Sequence, residues 1–167
     1  MFRFHTRSMM AAMSLSAALA CPTAFAMNAP ADPCSLLPAA DVARIVGRAF
    51  DSPKSSVAPR PFPKTVQGTD CLYLAKSGHG ALLFRVYFDP SAPEAAGLFK
   101  RLQMFFGSGA PVPGVGDETY IDSKHGLHER KGNVRFYLSL DGTNTAGPAK
   151  DKLLASLATA IGGRVQG

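Results

Sequence analysis

Ala81-Leu82-Leu83-Phe84-Arg85-Val86-Tyr87-Phe88 alternates with a period of two, and Ser91-Ala92-Pro93-Glu94 follows almost at once. In a strand, Leu82, Phe84, Val86 and Phe88 share one face, while Leu83, Arg85 and Tyr87 share the other. Ser91 and Glu94 form a capping box, so a helix opens there, and Pro93 is tolerated in its first turn. Ala95, Leu98, Phe99, Leu102 and Phe106 then make an apolar stripe, with Lys100, Arg101 and Gln103 outside it and Gly107 at its end. A half-buried strand running into an amphipathic helix is the central unit of this chain.

Working back from it, residues 69–76 read as a hairpin partner, turned by Ser77-Gly78-His79-Gly80. Residues 52–68 carry Pro53, Pro59, Pro61 and Pro63, which predicts a loop crossing the surface, with recognition of a partner as the alternative use. A short strand at 48–51 precedes it. Val42, Ile45 and Val46 mark a first helix that starts at Pro38 and stops at Gly47. Working forward, 107–116 is a glycine- and proline-rich loop. Residues 118–122, 127–131 and 134–140 predict a meander, and 148–161 a last helix with Leu153, Leu154, Leu157 and Ile161 on one side. The order α-β-β-β-α-β-β-β-α, with strands in hairpins, predicts an α+β domain: an antiparallel sheet of about five to six strands with about three helices.

The first 26 residues read differently. Arg3 and Arg7 precede an apolar run at 9–20, and Ala24-Phe25-Ala26 offers small residues to a signal peptidase. Twelve residues rise about 18 Å as a helix, short of a hydrocarbon core of about 30 Å. Residues 1–26 are therefore expected to be a signal peptide, and 27–167 a single exported globular domain. The alternative is a lipobox, Ala18-Leu19-Ala20-Cys21, in which Cys21 is acylated and the chain is a membrane-anchored lipoprotein.

Cleavage after Ala26 removes 26 of 167 residues and two of 18 basic side chains, leaving 141 residues. All 12 acidic residues stay, so the formal charge falls from +6 to +4. The densest basic pairs are Lys100-Arg101 and Arg130-Lys131, too short for a polyanion-binding tail, so no nucleic acid is expected. Cys34 and Cys71 remain as an even pair without Cys-x-x-Cys spacing, which predicts a disulfide in an oxidising compartment.

Several chemistries are disfavoured. Gly114-Val115-Gly116-Asp117-Glu118 precedes a strand rather than a helix, so it lacks the geometry of a phosphate loop. No Gly-x-Ser-x-Gly elbow is present, and Ser108 has no assignable base. Among Asp117, Glu118, Asp122 and Glu129, nothing in the sequence singles out an acid of raised pKa. His125 and His128, with Asp122 and Glu129 nearby, are the candidate metal ligands, but their spacing closes no ligand set. No cofactor is expected.

One pattern repeats. Arg85-x-Tyr87 and Arg135-x-Tyr137 lie on the non-core faces of two strands. If those strands are neighbours, the four residues make a basic and aromatic face suited to a ligand or partner. The alternative is that the tyrosines lie under a helix while the arginines reach outward.

Cys34-Ser35-Leu36-Leu37 with Ala40-Asp41-Val42, Cys71-Leu72-Tyr73, the run Val112-Pro113-Gly114-Val115-Gly116-Asp117-Glu118-Thr119-Tyr120, and Arg130-Lys131-Gly132-Asn133 together carry a resemblance. Over roughly 33–162 the chain resembles a family of uncharacterised small bacterial exported proteins, many of them lipoproteins. The resemblance implies a PsbP-like α+β fold with the two cysteines paired, and no catalytic residues. Pro38 departs from it, standing where a Ser or Thr helix cap is usual.

These readings lead to an expected non-enzymatic periplasmic or secreted interaction protein, with an accessory or immunity-like role. Its partner would be another envelope or secreted protein, with membrane contact only through a lipidated Cys21. The alternatives are an envelope protein that binds a small ligand or a metal and, less favoured, an envelope hydrolase.

Overall fold

The computed structural model describes residues 27–107, 109, 111–142 and 147–165. The expected signal peptide, Cys21 and Ser108 lie outside the described residues.

A 3-10 turn, Pro33–Leu36, opens the ordered chain and leads into α1 (Ala39–Val46). Pro38 is the residue before the first turn of α1 rather than the first helical position, and its ring disfavours a helical Leu37, whose φ of −133° and ψ of 82° end the preceding turn. Gly47 ends α1 in the left-handed region, with φ 79°, and its amide donates to the Ala43 carbonyl. The strands are β1 (Lys54–Ala58), β2 (Gly68–Leu74), β3 (Ala81–Phe88), β4 (Glu118–Ile121), β5 (Leu127–Lys131) and β6 (Val134–Asp141). Helix α2 (Ala92–Phe106) joins the two strand groups, and α3 (Pro148–Gly162) follows β6. The fold is α+β, in the order α-β-β-β-α-β-β-β-α.

All six strands pair antiparallel in the order β1-β2-β3-β6-β5-β4. Two three-stranded meanders thus meet through their last strands. The pair β3·β6 runs from Ala81 opposite Asp141 to Phe88 opposite Val134. One expectation needs correction: the first strand is not at 48–51, where Phe50 makes only an isolated bridge to Ala75. It lies at Lys54–Ala58, inside the segment read as loop. That strand falls between Pro53 and Pro59, forms the sheet edge and exposes every residue but Ala58, so it shows no apolar alternation.

The two sheet faces differ. Phe84, Val86, Phe136, Leu138 and Leu140 point to the face covered by α1 and α3, where Leu154, Leu157 and Ile161 complete the main core. The Cys34–Cys71 disulfide is formed and buried there, clipping the 3-10 turn to β2. The Tyr73 hydroxyl donates to the Leu37 carbonyl beside it. A buried disulfide is compatible with an oxidising compartment. No helix among the described residues is long and apolar enough to cross a membrane.

The opposite face carries α2. Ser91 Oγ caps it by accepting from the Glu94 amide at 3.3 Å. Only Ala95 and Phe99 of the α2 stripe are fully buried. Phe106 is 52% exposed, so the last turn of α2 stands off the sheet. That gap positions the site.

Candidate functional site

Antiparallel register lines up one residue per strand across this second face. Asp70 pairs with Arg85, Arg85 with Tyr137, Tyr137 with His128, and His128 with Tyr120. The alternation read in β3 and β6 dictates the middle of that row: if Phe84 and Leu138 face the core, Arg85 and Tyr137 must face away. Arg85, Tyr87, Tyr137 and His128 form the floor of a cleft of about 340 Å³. Pro59, Arg60 and Pro61 make one wall, Leu102 and Phe106 of α2 the other, and Lys124 closes one end. The volume lies at the lower end of the range for small-molecule sites.

The floor is rigid. Arg85 donates from Nε to Asp70 Oδ1 at 2.6 Å and from Nη2 to Oδ2 at 2.8 Å, a bidentate pair across β2 and β3. The Tyr87 hydroxyl donates to the Pro59 carbonyl at 2.7 Å and so pins the proline-rich wall to the sheet. Two glycines make room for the rings. A Cβ on Gly68 would come within 2.5 Å of the Tyr87 ring, and one on Gly126 within 2.4 Å of the Tyr137 ring. Neither glycine was flagged by motif reading, because each acts through a ring on another strand.

His128 is held from several sides. Its ring stacks on Tyr120 at 4.6 Å and 6°, on Phe106 at 5.8 Å and 25°, and leans on Tyr137 at 4.7 Å. Its Nε2 lies 3.0 Å from Asp122 Oδ2. Burial lowers its pKa, and the Asp122 contact only partly opposes that, so the neutral imidazole donates from Nε2 to the carboxylate. Burial alone would raise the Asp122 pKa. Donation from the Gly126 amide, His128 and the Lys124 amide outweighs it and holds the carboxyl low. Asp122 therefore closes the β4–β5 turn and orients His128 at once.

The sequence-predicted candidates divide. Arg85, Tyr87 and Tyr137 come together as the repeated pattern suggested, and His128 joins them. Arg135 does not reach the cleft. It is 2% exposed, is paired to both carboxylate oxygens of Asp89, and lies 4.9 Å from the Tyr87 ring centroid. The buried carboxylate just past the end of the neighbouring strand draws it away, so it packs beside Tyr87, its register partner, instead of reaching the cleft. His125 and His128 diverge. His125 sits in the turn with φ 57° and contacts Asp151 at 3.1 Å, whereas His128 turns into the cleft. No cluster of three or more His, Cys, Asp or Glu side chains placed to hold a metal occurs among the described residues.

One acid is singled out after all. Glu129 on β5 points to the α3 face, is 0% exposed, and neither carboxyl oxygen has a partner among the described residues. Burial pushes its pKa up to about 8; Lys131 opposes the shift and Asp117 adds to it. A Cβ on Gly116 would come within 2.7 Å of its side chain, and one on Gly162 within 3.4 Å. The glycine loop read above thus lies over a buried acid. Its Asp117 accepts from Arg130 Nη1 and from the Gly132 amide, each at 2.8 Å, which joins that loop to the β5–β6 turn.

Comparison with known protein families and with curated proteins finds no match to this chain.

Proposed function

We propose that the chain is a non-enzymatic periplasmic or secreted binding protein that takes a small amphiphile, an apolar body with an anionic end, into the cleft between the sheet and α2. The observation that carries this reading is the cross-strand row that sets Arg85, Tyr137 and His128 on one floor facing Leu102 and Phe106. The apolar and aromatic walls suit the body of such a ligand. Arg85 is balanced by Asp70, and Arg60 and Lys124 then line the cleft against one carboxylate, Asp122, which is already engaged by its turn and by His128. The local charge therefore favours an anion.

The Asp122–His128 pair has the outline of a base and its orienting acid. Its Nε2 proton is donated to Asp122, which leaves Nδ1 as the basic nitrogen, but no described serine, threonine or cysteine is hydrogen-bonded to the ring. Both described cysteines are in the disulfide. These features support binding over turnover. The ligand reading displaces the expected protein partner as the leading one because Arg85, Tyr87 and Tyr137 line a concavity rather than a flat face.

Calorimetric titration of the purified chain with decanoate tests the reading. Saturable binding of one molecule per chain, abolished by the cleft-filling Leu102→Trp, is the expected result. Absence of heat from decanoate, or heat unchanged in that variant, would overturn it.

A further inference from the structure

The last two turns of α2 and the proline-rich wall beside them form a surface of unusual composition. Met104 is 77% exposed, Phe105 73% and Phe106 52%. Phe105 packs on Phe62 at 5.5 Å, and the Arg101 guanidinium lies 4.2 Å over the Phe62 ring. Around these apolar groups stand five exposed cations: Arg60, Lys64, Lys100, Arg101 and Lys124. Lys64 and Arg101 line one depression beside α2, and Arg60 and Lys124 line the cleft whose lip is Phe106. Neither 59–69 nor 95–106 contains an acidic residue. Of the carboxylates beside it, Glu94 near the start of α2 and Asp89 line the depression with Lys64 and Arg101, but Asp89 is buried and paired to Arg135; Asp122 is buried, and Asp151 contacts His125.

We infer that this surface docks on a bilayer of anionic phospholipid, with Met104, Phe105 and Phe106 entering the headgroup region and the five cations meeting lipid phosphates. Exposed aromatic groups ringed by Lys and Arg are the composition that lies in a membrane interface without spanning it. The charge selects this occupant over a second copy of the chain. An isologous dimer through this patch would set its five cations against the same five. The docking needs no acyl chain on Cys21, and it does not depend on the cleft being filled. It would turn the mouth of the cleft toward the lipid.

Sedimentation of the purified chain with vesicles tests it. Vesicles of equal parts phosphatidylglycerol and phosphatidylcholine should carry the protein down, and vesicles of phosphatidylcholine alone should not. Added salt should release it. Lys100→Gln/Arg101→Gln should weaken binding about 25-fold, roughly fivefold for each cation lost. Met104→Ser/Phe105→Ser, at two exposed positions outside the cleft, should weaken it about tenfold or more. Decanoate binding in the latter variant should be unchanged, which separates docking from the cleft. Equal sedimentation with both lipids, or wild-type binding by both variants, would overturn the inference, since either would place membrane contact elsewhere. Self-association lost in these variants without vesicle binding would overturn it too, by making the patch an interface between copies.

Discussion

Arg85 on β3 and Tyr137 on β6 are register partners at the centre of the sheet, and both side chains floor the same cleft. The pairing follows from alternation in two strands separated by about fifty residues, and it places a guanidinium beside an aromatic ring without any loop contributing. Sites built on central strands hold their geometry better than sites on loops. The cleft is thus preformed, and its neighbours carry much of the testable physics.

Arg135 and Asp89 are one such neighbour. They form a buried pair on the same face, 2% and 0% exposed at the side chain. Removing either partner alone leaves a buried charge, so Asp89→Ala or Arg135→Met should cost about 3–5 kcal/mol in urea unfolding. The double variant Arg135→Met/Asp89→Asn should recover part of that loss. Additive losses would contradict the pairing.

Acid stability reports on His128. Its folded pKa is lowered below 6.5 by burial, so it is neutral in both states above that value and its contribution is then fully present. As pH falls below 6.5 the unfolded chain binds the proton first, and stability declines toward the folded pKa. Asp122 acts in the same direction below 3.8, because its folded pKa is also lowered. NMR titration should place the His128 midpoint below 6.5, and His128→Gln should flatten the decline. A midpoint above 6.5 would refute the caged neutral imidazole.

Glu129 works in the opposite sense. Its folded pKa is raised from 4.5 to about 8, so its contribution is fully present below 4.5 and is lost as pH rises to about 8. Glu129→Gln, which keeps the shape and removes the charge, should abolish that loss and leave the protein more stable at alkaline pH. Equal pH slopes in the two proteins would show that the carboxyl is solvated.

The disulfide should matter to folding more than to the site. Cys34 and Cys71 are 37 positions apart, and a closed loop of that size is worth about 4 kcal/mol in the chain-entropy treatment. Cys34→Ala/Cys71→Ala should lower stability by roughly that amount while leaving decanoate affinity intact, because the bridge lies on the α3 face.

How much of this could be read in advance depended on whether the signal was local. Alternation at 81–88 and 134–140, the Ser91 cap and the Gly47 stop are set by neighbours in sequence, so the element order was legible. The pairing of Cys34 with Cys71 followed from their even number. The strand Lys54–Ala58 was hidden because an exposed edge strand needs no apolar face. Arg135 was misplaced because the carboxylate that draws it away is 46 positions distant. His128 read as a strand residue and a candidate metal ligand with His125. Its cage comes from α2, β4 and β6, and no spacing within one element encodes that. The raised acid, Glu129, was invisible for the same reason: Gly116 and Gly162 bury it from two distant segments.

The central claim is that the sheet floor beneath α2 receives an anionic amphiphile. Amide chemical-shift mapping of the 15N-labelled chain during titration with decanoate tests it most directly. The account predicts saturable shifts concentrated at Arg85, Tyr87, His128 and Tyr137 on the floor and at Leu102 and Phe106 on the wall, with little change on the α1 and α3 face. Shifts spread evenly over the surface, or confined to the α3 face, would contradict it.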